Sequence, residues 1–500
     1  MSKRYPSTLL CDFYKIGHRN QYPAGTETVY STWIARSSRL EGVDKVVAFG
    51  FQAFVQRYLI EYFNEEFFGR DKEEVLAEYS RVIRNTLGET SPDTSHLAAL
   101  WDLGYLPLEI RAVPEGTLVP LRVPMLTIVN TDPRFFWLTN YVETLFSTES
   151  WMASTSATMA LEYRKLFERY GRLTGGDETA ISFQGHDFSM RGMSSVEAAA
   201  LSGAGHLLSF TGTDTIPAIL FLERYYGANT DSELVGASIP ATEHSVMCAY
   251  GNDDGAEIES FRHIISDVYP SGFVSVVSDT WDLWEVIGSY LPALKDLVCA
   301  RDGRLVIRPD SGDPVKIMAG DDGGESELER KGVIEALWDI FGGEINQAGY
   351  KVLDPHIGAI YGDSITLERA EAIMKRLMEK GFVSTSEVFG IGSYTYQHTT
   401  RDTFGFALKS TSVTINGVEK AIFKDPATDK DHTKRSLRGR VVVLRQDGRL
   451  VAKDGLTSVE ASAYPDEMRS IFLNGEALNK QSLREIRELL RLESGLEEAR

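Results

Sequence analysis

From about residue 180 onward, short apolar runs rich in β-branched residues alternate with stretches of helical periodicity. Each run ends in a polar residue or a glycine. After one of them, apolar residues recur at helical spacing over 370–378, and Gly381 ends the pattern. Continuous apolar strands that alternate with helices predict a parallel sheet covered by helices. The runs are FVSVVSD (273–279), RLVIRPDSG (304–312), IGAIYGD (357–363) and SEVFGIGS (386–393).

The polar ends of these strands favour a barrel. In parallel α/β barrels the site lies at the carboxyl ends of the strands, where such residues would meet. Asp and Gly are also common in ordinary loops after strands, but four such endings in succession favour the barrel. We place it at about residues 151–399. Residues 1–150 have a different sequence pattern, in which aromatic-rich helical stretches lie beside short strands such as LEIRAVPEGTLVPL (108–121). This pattern predicts a mixed α/β domain.

The amino-acid composition argues against two classes of binding partner, nucleic acids and membranes. The 500 residues carry a formal net charge of -20, and such a surface repels nucleic acid and anionic lipid. Three scattered cysteines predict neither a disulfide framework nor a zinc site. No run of 18 uncharged apolar residues occurs. We therefore expect a cytoplasmic protein with no nucleic acid or membrane partner.

The predicted strand ends bring several reactive groups together. Asp279, Arg308, Asp310 and Asp363 follow three of the strands, and the fourth ends in the glycine-rich GIGS. Carboxylates bind ribose hydroxyls or magnesium, and glycine-rich turns offer backbone N–H groups to phosphate. His244, in IPATEHSVMCAY (239–250), has two interpretations: a core histidine beside Glu243, or a reactive imidazole at the same site.

In the C-terminal third, residues 401–440 carry a concentration of basic side chains that is unusual in so acidic a chain. One explanation is a solvated basic face. The other is an anionic ligand, and a ligand with both sugar and polyphosphate would explain carboxylates and cations together. The basic residues are Arg401, Lys409, Lys420, Lys424, Lys430, Lys434, Arg435, Arg438 and Arg440.

Eleven motifs, in order along the chain from residue 12 to about 436, resemble those of the nicotinamide phosphoribosyltransferases. These are type II phosphoribosyltransferases, and the FGIGS…TYQ form is similar to the bacterial and phage branch. The resemblance implies phosphoribosyl transfer from phosphoribosyl pyrophosphate to nicotinamide, in NAD salvage. The motifs are DFYKIGHRNQYP, HDFSMRGMSS, FTGTDT, PATEHS, VSVVSD, IRPDSGDP, YGDSIT, FGIGS, TRDTFGFALK, FKDP and KRS.

The resemblance also implies an architecture and co-substrates. It implies an irregular parallel α/β barrel and a second α+β domain built from both ends of the chain, here residues 1–150 and about 400–500. It implies a homodimer with active sites shared between subunits, a requirement for Mg²⁺, whose ligands stay unknown, and ATP as a co-substrate. In this family the histidine of PATEHS, here His244, accepts a phosphoryl group from ATP. Asp279 or Glu243 would orient its ring.

The substrate pocket follows from the same resemblance. Phe188 and Tyr14 of the partner subunit would stack on the two faces of the pyridine ring. Asp214 would accept a hydrogen bond from the carboxamide, which selects against the anionic nicotinate. Packing for the two aromatic residues and helix capping for Asp214 are the alternatives. The other implied substrate and catalytic residues are Asp12, Arg191, Ser275, Asp279, Arg308 and Asp310.

A second set of residues would bind phosphate. The chain departs from the animal pattern in two places: Ser393 and Tyr394 interrupt a glycine-only stretch, and Ala407 replaces a serine two residues before Lys409. Neither change reaches the reacting centre. The implied phosphate ligands are Gly362, Asp363, Gly392, Ser393, Arg36, Arg39, Arg401, Lys409, Lys424 and Lys434.

Three other functions compete with this interpretation. A nicotinate phosphoribosyltransferase would not explain Asp214. A two-carboxylate glycoside hydrolase on a barrel would leave His244 and the lysines without a role. A non-catalytic binding protein that kept the pocket is the third, although an intact set of Asp279, Arg308, Asp310 and His244 argues against it.

Overall fold

The computed structural model describes residues 4–88, 90–252, 255–424 and 436–496. The chain divides into two compact units, unit 1 (Met1–Thr155, Leu222–Ala228 and Thr399–Arg500) and unit 2 (Ser156–Phe221 and Asn229–His398). The strands are β1 Thr26–Ile34, β2 Lys45–Val47, β3 Leu108–Ala112, β4 Leu118–Pro120, β5 Pro124–Asn130, β6 Gly185–Asp187, β7 Gly212–Thr213, β8 Val274–Val277, β9 Leu305–Arg308, β10 Gly343–Ile345, β11 Lys351–Leu353, β12 Ile357–Tyr361, β13 Glu387–Ile391, β14 Ala407–Ile415, β15 Val418–Ala421, β16 Arg440–Gln446, β17 Arg449–Leu456, β18 Arg469–Leu473 and β19 Glu476–Ala477.

The α-helices range from short turns at strand ends to one of 32 residues. Several continue into π-helical turns, as after α2 at Val55–Tyr62. The helices are α1 Phe13–Gln21, α2 Phe51–Phe54, α3 Lys72–Leu87, α4 Ser95–Leu103, α5 Leu138–Tyr141, α6 Glu143–Thr174, α7 Glu178–Gln184, α8 Val196–His206, α9 Ile216–Tyr226, α10 His244–Ala249, α11 Ala256–His263, α12 Leu283–Glu285, α13 Leu291–Cys299, α14 Pro314–Ala319, α15 Glu327–Lys331, α16 Val333–Phe341, α17 Leu367–Glu379, α18 Ser393–Tyr396, α19 Ser458–Ala461 and α20 Leu483–Ser494.

Unit 1 is built on an antiparallel sheet. Its strands follow the order β15-β14-β1-β5-β3-β18-β19, so strands from both ends of the chain lie in one sheet. Trp33 of β1 is fully buried and stacks on Phe406, with ring centroids 5.3 Å apart. Phe146 meets the same indole edge-on at 5.0 Å. These aromatic contacts anchor the core of unit 1, because large buried rings supply much of the apolar area removed from water.

Unit 2 is built on a parallel sheet with the order β7-β6-β13-β12-β9-β8. The four apolar runs singled out in the sequence are β8, β9, β12 and β13, and they are neighbours. Helix α17, whose residues Ala370, Ile373, Met374 and Leu377 are buried, follows β12 as its period predicts. The predicted α/β class with a parallel barrel-type sheet is confirmed.

A short segment, residues 237–242, connects the two edge strands of this sheet. Ala237 exchanges backbone hydrogen bonds of 2.8 and 2.9 Å with residues 211–213 at β7. Five residues later Thr242 donates to the carbonyl of Ser275 in β8 at 2.9 Å, and Ser275 donates to Pro240 at 2.8 Å. Residues 237–242, called here the closing segment, thus complete the ring with single β-bridges instead of a strand. This irregular closure places His244 directly beside the carboxyl end of β8.

No helix among the described residues combines the length and the apolar character that crossing a membrane requires.

Candidate functional site

His244 lies at the carboxyl ends of β8 and β9, as the first residue of α10. Its ring is half exposed, at 49%, and its Nε2 lies 3.7 Å from Oδ1 of Asp279 and 3.9 Å from Oδ2 of Asp310. Nδ1 lies 3.3 Å from the Thr280 hydroxyl. A half-exposed imidazole near two carboxylates is not packed as a core residue, and a catalytic role for His244 stays a prediction.

Asp279 is the fixed group of this cluster, because only 5% of its side chain is exposed. Its Oδ2 accepts hydrogen bonds from the backbone N–H groups of Asp310 and Ser311, both at 2.8 Å, and from the Ser311 hydroxyl at 2.5 Å. Its other oxygen, Oδ1, is buried and receives no hydrogen bond from the described residues. That oxygen lies 3.7 Å from Nε2 of His244, so one oxygen of the carboxylate is bonded to the loop after β9 and the other lies near the imidazole without a hydrogen bond to it.

Glu243 does not contribute to the orientation of the ring. It occupies the position before α10 in an extended conformation. Its carboxylate accepts a hydrogen bond from the Ser245 hydroxyl. Of the two carboxylates considered for His244, the structure brings Asp279 to the ring.

Arg308 and Asp310 lie beside this cluster at the end of β9. Arg308 donates to the carbonyl of Thr242 in the closing segment at 2.7 Å, and its Nε lies 3.8 Å from Oδ1 of Asp310. Burial raises the pKa of Asp310; Arg308 and His244 act against this rise, while Asp279 and Asp363 reinforce it. The carboxylates therefore create a negative potential that a cation would relieve.

The ring of Phe188 packs on two glycine strand ends. A Cβ atom on Gly390 would lie 2.5 Å from the Phe188 ring, and one on Gly362 would lie 3.6 Å from it. On the same strand end, the imidazole of His186 lies 4.6 Å from that ring, centroid to centroid. Glycine at both positions keeps the backbone close to the aromatic face, and Phe188 itself remains only partly buried.

Asp214 follows β7, and its side chain is partly exposed. Oδ1 of Asp214 lies 2.9 Å from Nε2 of His186 and also accepts from the Ser238 hydroxyl. Burial alone would raise the pKa of Asp214, but the hydrogen bonds from His186 and Ser238 and the charge of Arg308 lower it below its usual value. Asp214 is therefore held as a carboxylate anion that contacts side chains.

The predicted phosphate-binding glycines lie on neighbouring strand ends. A Cβ on Gly362 would lie 2.7 Å from Oδ1 of Asp310, and Gly392 precedes Ser393, the first residue of α18. A Cβ on Gly192 would lie 2.0 Å from the Ser393 hydroxyl, so the loop after β6 lies directly against the start of α18. Asp363 is exposed.

The other predicted pocket residues are divided between the units. In unit 2, Arg191 is exposed and Ser275 is buried on β8 with its hydroxyl unpaired among the described residues. In unit 1, Asp12 precedes α1 and accepts from Thr144 at 3.0 Å. Tyr14 is 59% exposed.

Most of the predicted pyrophosphate ligands belong to unit 1. Arg36 donates to the carbonyl of Gly405 at 2.7 Å, and the backbone N–H of Arg39 donates to Thr403 in the same turn. The pKa of Lys409, on β14, is lowered by burial; Glu143 opposes this, while Arg36, Lys15 and Arg401 lower it further. The three remaining ligands are Arg401 and Lys424, both exposed, and Lys434, which lies outside the described residues.

Two contacts of this site were missing from the sequence prediction, namely those of His186 and Ser238 with Asp214. The two-residue period of a strand could have indicated the first, because His186 lies on β6 two residues before Phe188, which was already assigned to the pocket. Ser238 gave no such signal, since it lies in the closing segment, which has no strand pattern.

The sequence does not predict which residues bind magnesium. Within the described ranges, no group of three or more His, Cys, Asp or Glu side chains is arranged to hold a metal ion. Mg²⁺ is usually bound by one or two carboxylates together with substrate phosphates and water. The buried, unpaired oxygen of Asp279 and the neighbouring Asp310 fit that second mode.

The chain is similar to known proteins over most of its length. Residues 183–476 match the nicotinate phosphoribosyltransferase (NAPRTase) family, and residues 7–82 match the N-terminal domain of nicotinamide phosphoribosyltransferase. The chain is 49% identical to a nicotinamide phosphoribosyltransferase of Acinetobacter baylyi over 98% of both chains. It is 35% identical to that of Mycoplasma pneumoniae, with 86% of this chain and 94% of the relative covered.

One solved structure shows the fold alone. Nicotinate-nucleotide pyrophosphorylase of Pyrococcus furiosus superimposes with a TM-score of 0.57 at 16% identity, and the match covers 99% of this chain and 100% of that one. The assignment to a family rests on the sequence relatives, because their identity extends over both units. The chain belongs to the nicotinamide phosphoribosyltransferase family.

Proposed function

We propose that the chain transfers the phosphoribosyl group of phosphoribosyl pyrophosphate to nicotinamide, giving nicotinamide mononucleotide and pyrophosphate for NAD salvage. The observation that carries the choice of base is the Asp214 carboxylate, held in its ionised form by His186, Ser238 and Arg308. An ionised carboxylate accepts a hydrogen bond from a carboxamide but repels the carboxylate of nicotinate. In a partly desolvated pocket the difference is worth several kcal/mol.

The reaction needs positioning and electrostatics more than proton transfer. The pyridine nitrogen attacks C1 of the ribose with its own lone pair, and the bond from C1 to the diphosphate oxygen breaks. Positive charge develops on the ribose as the diphosphate leaves. The negative potential of Asp279 and Asp310 suits that charge, and the Phe188 ring on Gly390 and Gly362 supplies a face for the base.

The predicted phosphate ligands complete the substrate site in this proposal. Gly362, Asp363, Gly392 and Ser393 would hold the ribose phosphate, and the predicted basic residues, several of them from the partner subunit, would bind the diphosphate. When bound, Mg²⁺ neutralises charge on the diphosphate as it leaves. Asp279 and Asp310 are the residues that would hold the metal, together with the substrate's own phosphate oxygens.

His244 is proposed to couple the reaction to ATP. One ring nitrogen attacks the terminal phosphorus of ATP; an N–P bond forms, the P–O bond to ADP breaks, and later hydrolysis releases phosphate. The Asp279 and Asp310 carboxylates, 3.7 and 3.9 Å from Nε2, stabilise the positive charge that the ring gains. The half exposure of the ring leaves one side open to the nucleotide.

We also propose a cytoplasmic homodimer. The exposed Tyr14 is suited to contribute a ring to the other subunit's pocket, opposite Phe188. Cys11, Cys248 and Cys299 are free, which suits a reducing compartment. Analytical ultracentrifugation tests the assembly, and a monomer with full activity would exclude shared sites.

One assay tests the main proposal. The purified chain is supplied with phosphoribosyl pyrophosphate and Mg²⁺, and with nicotinamide, nicotinate or no base. Release of pyrophosphate and formation of the mononucleotide are measured with and without ATP. We expect nicotinamide to be used about a thousandfold more efficiently than nicotinate. Equal or greater use of nicotinate would refute the assignment and favour nicotinate phosphoribosyl transfer.

A further inference from the structure

We propose that His186 is a positioning residue that sets the charge and the direction of the Asp214 carboxylate, so that selection between nicotinamide and nicotinate depends on pH. The inference rests on the proposed function, in which Asp214 meets the substituent of the pyridine ring. It extends that function with a group outside the predicted pocket residues and with a titration that the transfer reaction itself does not require.

The hydrogen bonds of Asp214 are concentrated on one oxygen. Nε2 of His186 lies 2.9 Å from Oδ1, and the Ser238 hydroxyl donates to the same atom. Oδ2 accepts no hydrogen bond from any side chain or backbone group that the structure describes. Two donors on Oδ1 fix the carboxylate plane, and they leave Oδ2 as the acceptor for a substrate amide.

His186 is itself held in place on two sides. It lies on β6, where a Cβ atom on Gly212 of the next strand would come within 2.8 Å of its Nδ1. Its ring centroid lies 4.6 Å from that of Phe188. The imidazole therefore cannot turn away from Asp214 without disturbing the ring that is proposed to stack on the pyridine.

The charge of this pair depends on one proton. With neutral His186 the pair carries a net negative charge, which favours an amide and repels nicotinate. With protonated His186 the pair is an ion pair with no net charge, and much of the repulsion is lost.

Three other ionisable groups lie near the pair. Burial lowers the pKa of His206 to about 4, so His206 stays neutral at working pH. Asp187, fully buried, interacts with His206, and Arg308 acts on Asp214 with a constant positive charge. Among these ionisable groups, His186 is the one whose ring is hydrogen-bonded to the Asp214 carboxylate.

The test compares both bases on the full-length enzyme at about pH 6 and about pH 8. The measured quantity is the ratio of kcat/KM for nicotinamide to kcat/KM for nicotinate. Steps common to both bases, including those at His244, cancel in this ratio. For the wild type we expect the ratio to fall about tenfold or more on acidification, because the repulsion of nicotinate weakens.

Three variants separate the possible roles. His186→Gln keeps a neutral donor at the Nε2 position, so its ratio should stay high and independent of pH. His186→Ala should lower the ratio at both pH values, mainly through a higher KM for nicotinamide. The matched control, Ser238→Ala, removes the other donor of Oδ1 but no titrating group, so its ratio should fall while the pH dependence remains.

The outcomes distinguish this inference from the proposed function. Wild-type enzyme that transfers to neither base overturns both. Wild-type enzyme that uses nicotinamide with a ratio independent of pH, or a His186→Gln variant with the wild-type pH dependence, overturns this inference alone. Calorimetric titration of the wild type with each base at both pH values gives the ratio of dissociation constants, which should fall on acidification and does not depend on the folding of a variant.

Discussion

Replacing Asp279 with asparagine should strongly reduce stimulation by ATP while preserving the loop that Asp279 supports. The asparagine side-chain oxygen can take the place of Oδ2 and accept the hydrogen bonds from Asp310 and Ser311. Its NH₂ group then replaces Oδ1, 3.7 Å from Nε2 of His244. A negative charge that stabilised the ring is exchanged for a neutral donor that opposes a protonated or positively charged imidazole.

The expected magnitude follows from the separation. Opposite charges about 4 Å apart interact by about 1 kcal/mol in water and by about 4 kcal/mol at an effective dielectric constant of roughly 20. Asp279 is buried but His244 is half exposed, so an intermediate value of about 1.5–3 kcal/mol applies. This predicts a loss of about 10- to 100-fold in the ATP-stimulated part of kcat/KM.

The assay measures mononucleotide formation with and without ATP, and thermal unfolding is recorded in parallel. Glu243→Gln is the matched control: it removes a carboxylate adjacent in sequence whose hydrogen bond goes to Ser245, so ATP stimulation should persist. An Asp279→Asn enzyme with wild-type stimulation would refute the role assigned to Asp279. An equal loss in Glu243→Gln would show that ATP stimulation does not depend on the 3.7 Å distance between Asp279 and the His244 ring.

Further predictions concern the base, the diphosphate and the core. Asp214→Ser should gain nicotinate activity, measured as a fall of about 100-fold or more in the nicotinamide preference; an unchanged preference contradicts the role of Asp214. Because the pKa of Lys409 is lowered, the wild-type side chain loses its charge at a lower pH than an ordinary lysine does. Lys409→Arg should therefore keep a low KM for phosphoribosyl pyrophosphate to higher pH than the wild type does. Identical pH profiles of KM for the two enzymes would exclude this.

Burial raises the pKa of Glu387, whose oxygens have no partner among the described residues. Its folded form keeps the proton while its unfolded form has lost it, so stability falls as pH rises above the unfolded pKa. Glu387→Met should stabilise unit 2 by about 1–3 kcal/mol. The gain should be greater in calorimetry at about pH 8 than at about pH 6, and a lower melting temperature would contradict it.

The parallel sheet could be predicted because several independent strands repeat one pattern. Four apolar runs ended in Asp279, Arg308 with Asp310, Gly362 and Gly390, and each is a strand whose end reaches the site. Chemistry at the strand ends followed from this repetition, since parallel strands share one carboxyl edge.

What the sequence could not reveal was the closure of the ring and the contacts made there. The closing segment lacks the apolar alternation of a strand and joins β7 and β8 through single bridges, so nothing in its pattern predicts a partner. The hydrogen bond from Ser238 to Asp214 and that from Arg308 to Thr242 depend on this segment. Equally, the proximity of Glu243 to His244 in sequence suggested a contact that an extended backbone at Glu243 does not provide.

The closing segment contacts two parts of the site that have different proposed functions, base selection and ATP coupling. Ser238 donates to Asp214, the residue proposed to select the base. Thr242 accepts from Arg308 and lies two residues before His244, which is proposed to receive phosphate. Between them lie three residues, too few for a hinge or an insertion that would alter one end alone. Exchanging the closing segment, in evolution or by engineering, should therefore change the proposed base preference and the proposed ATP coupling together.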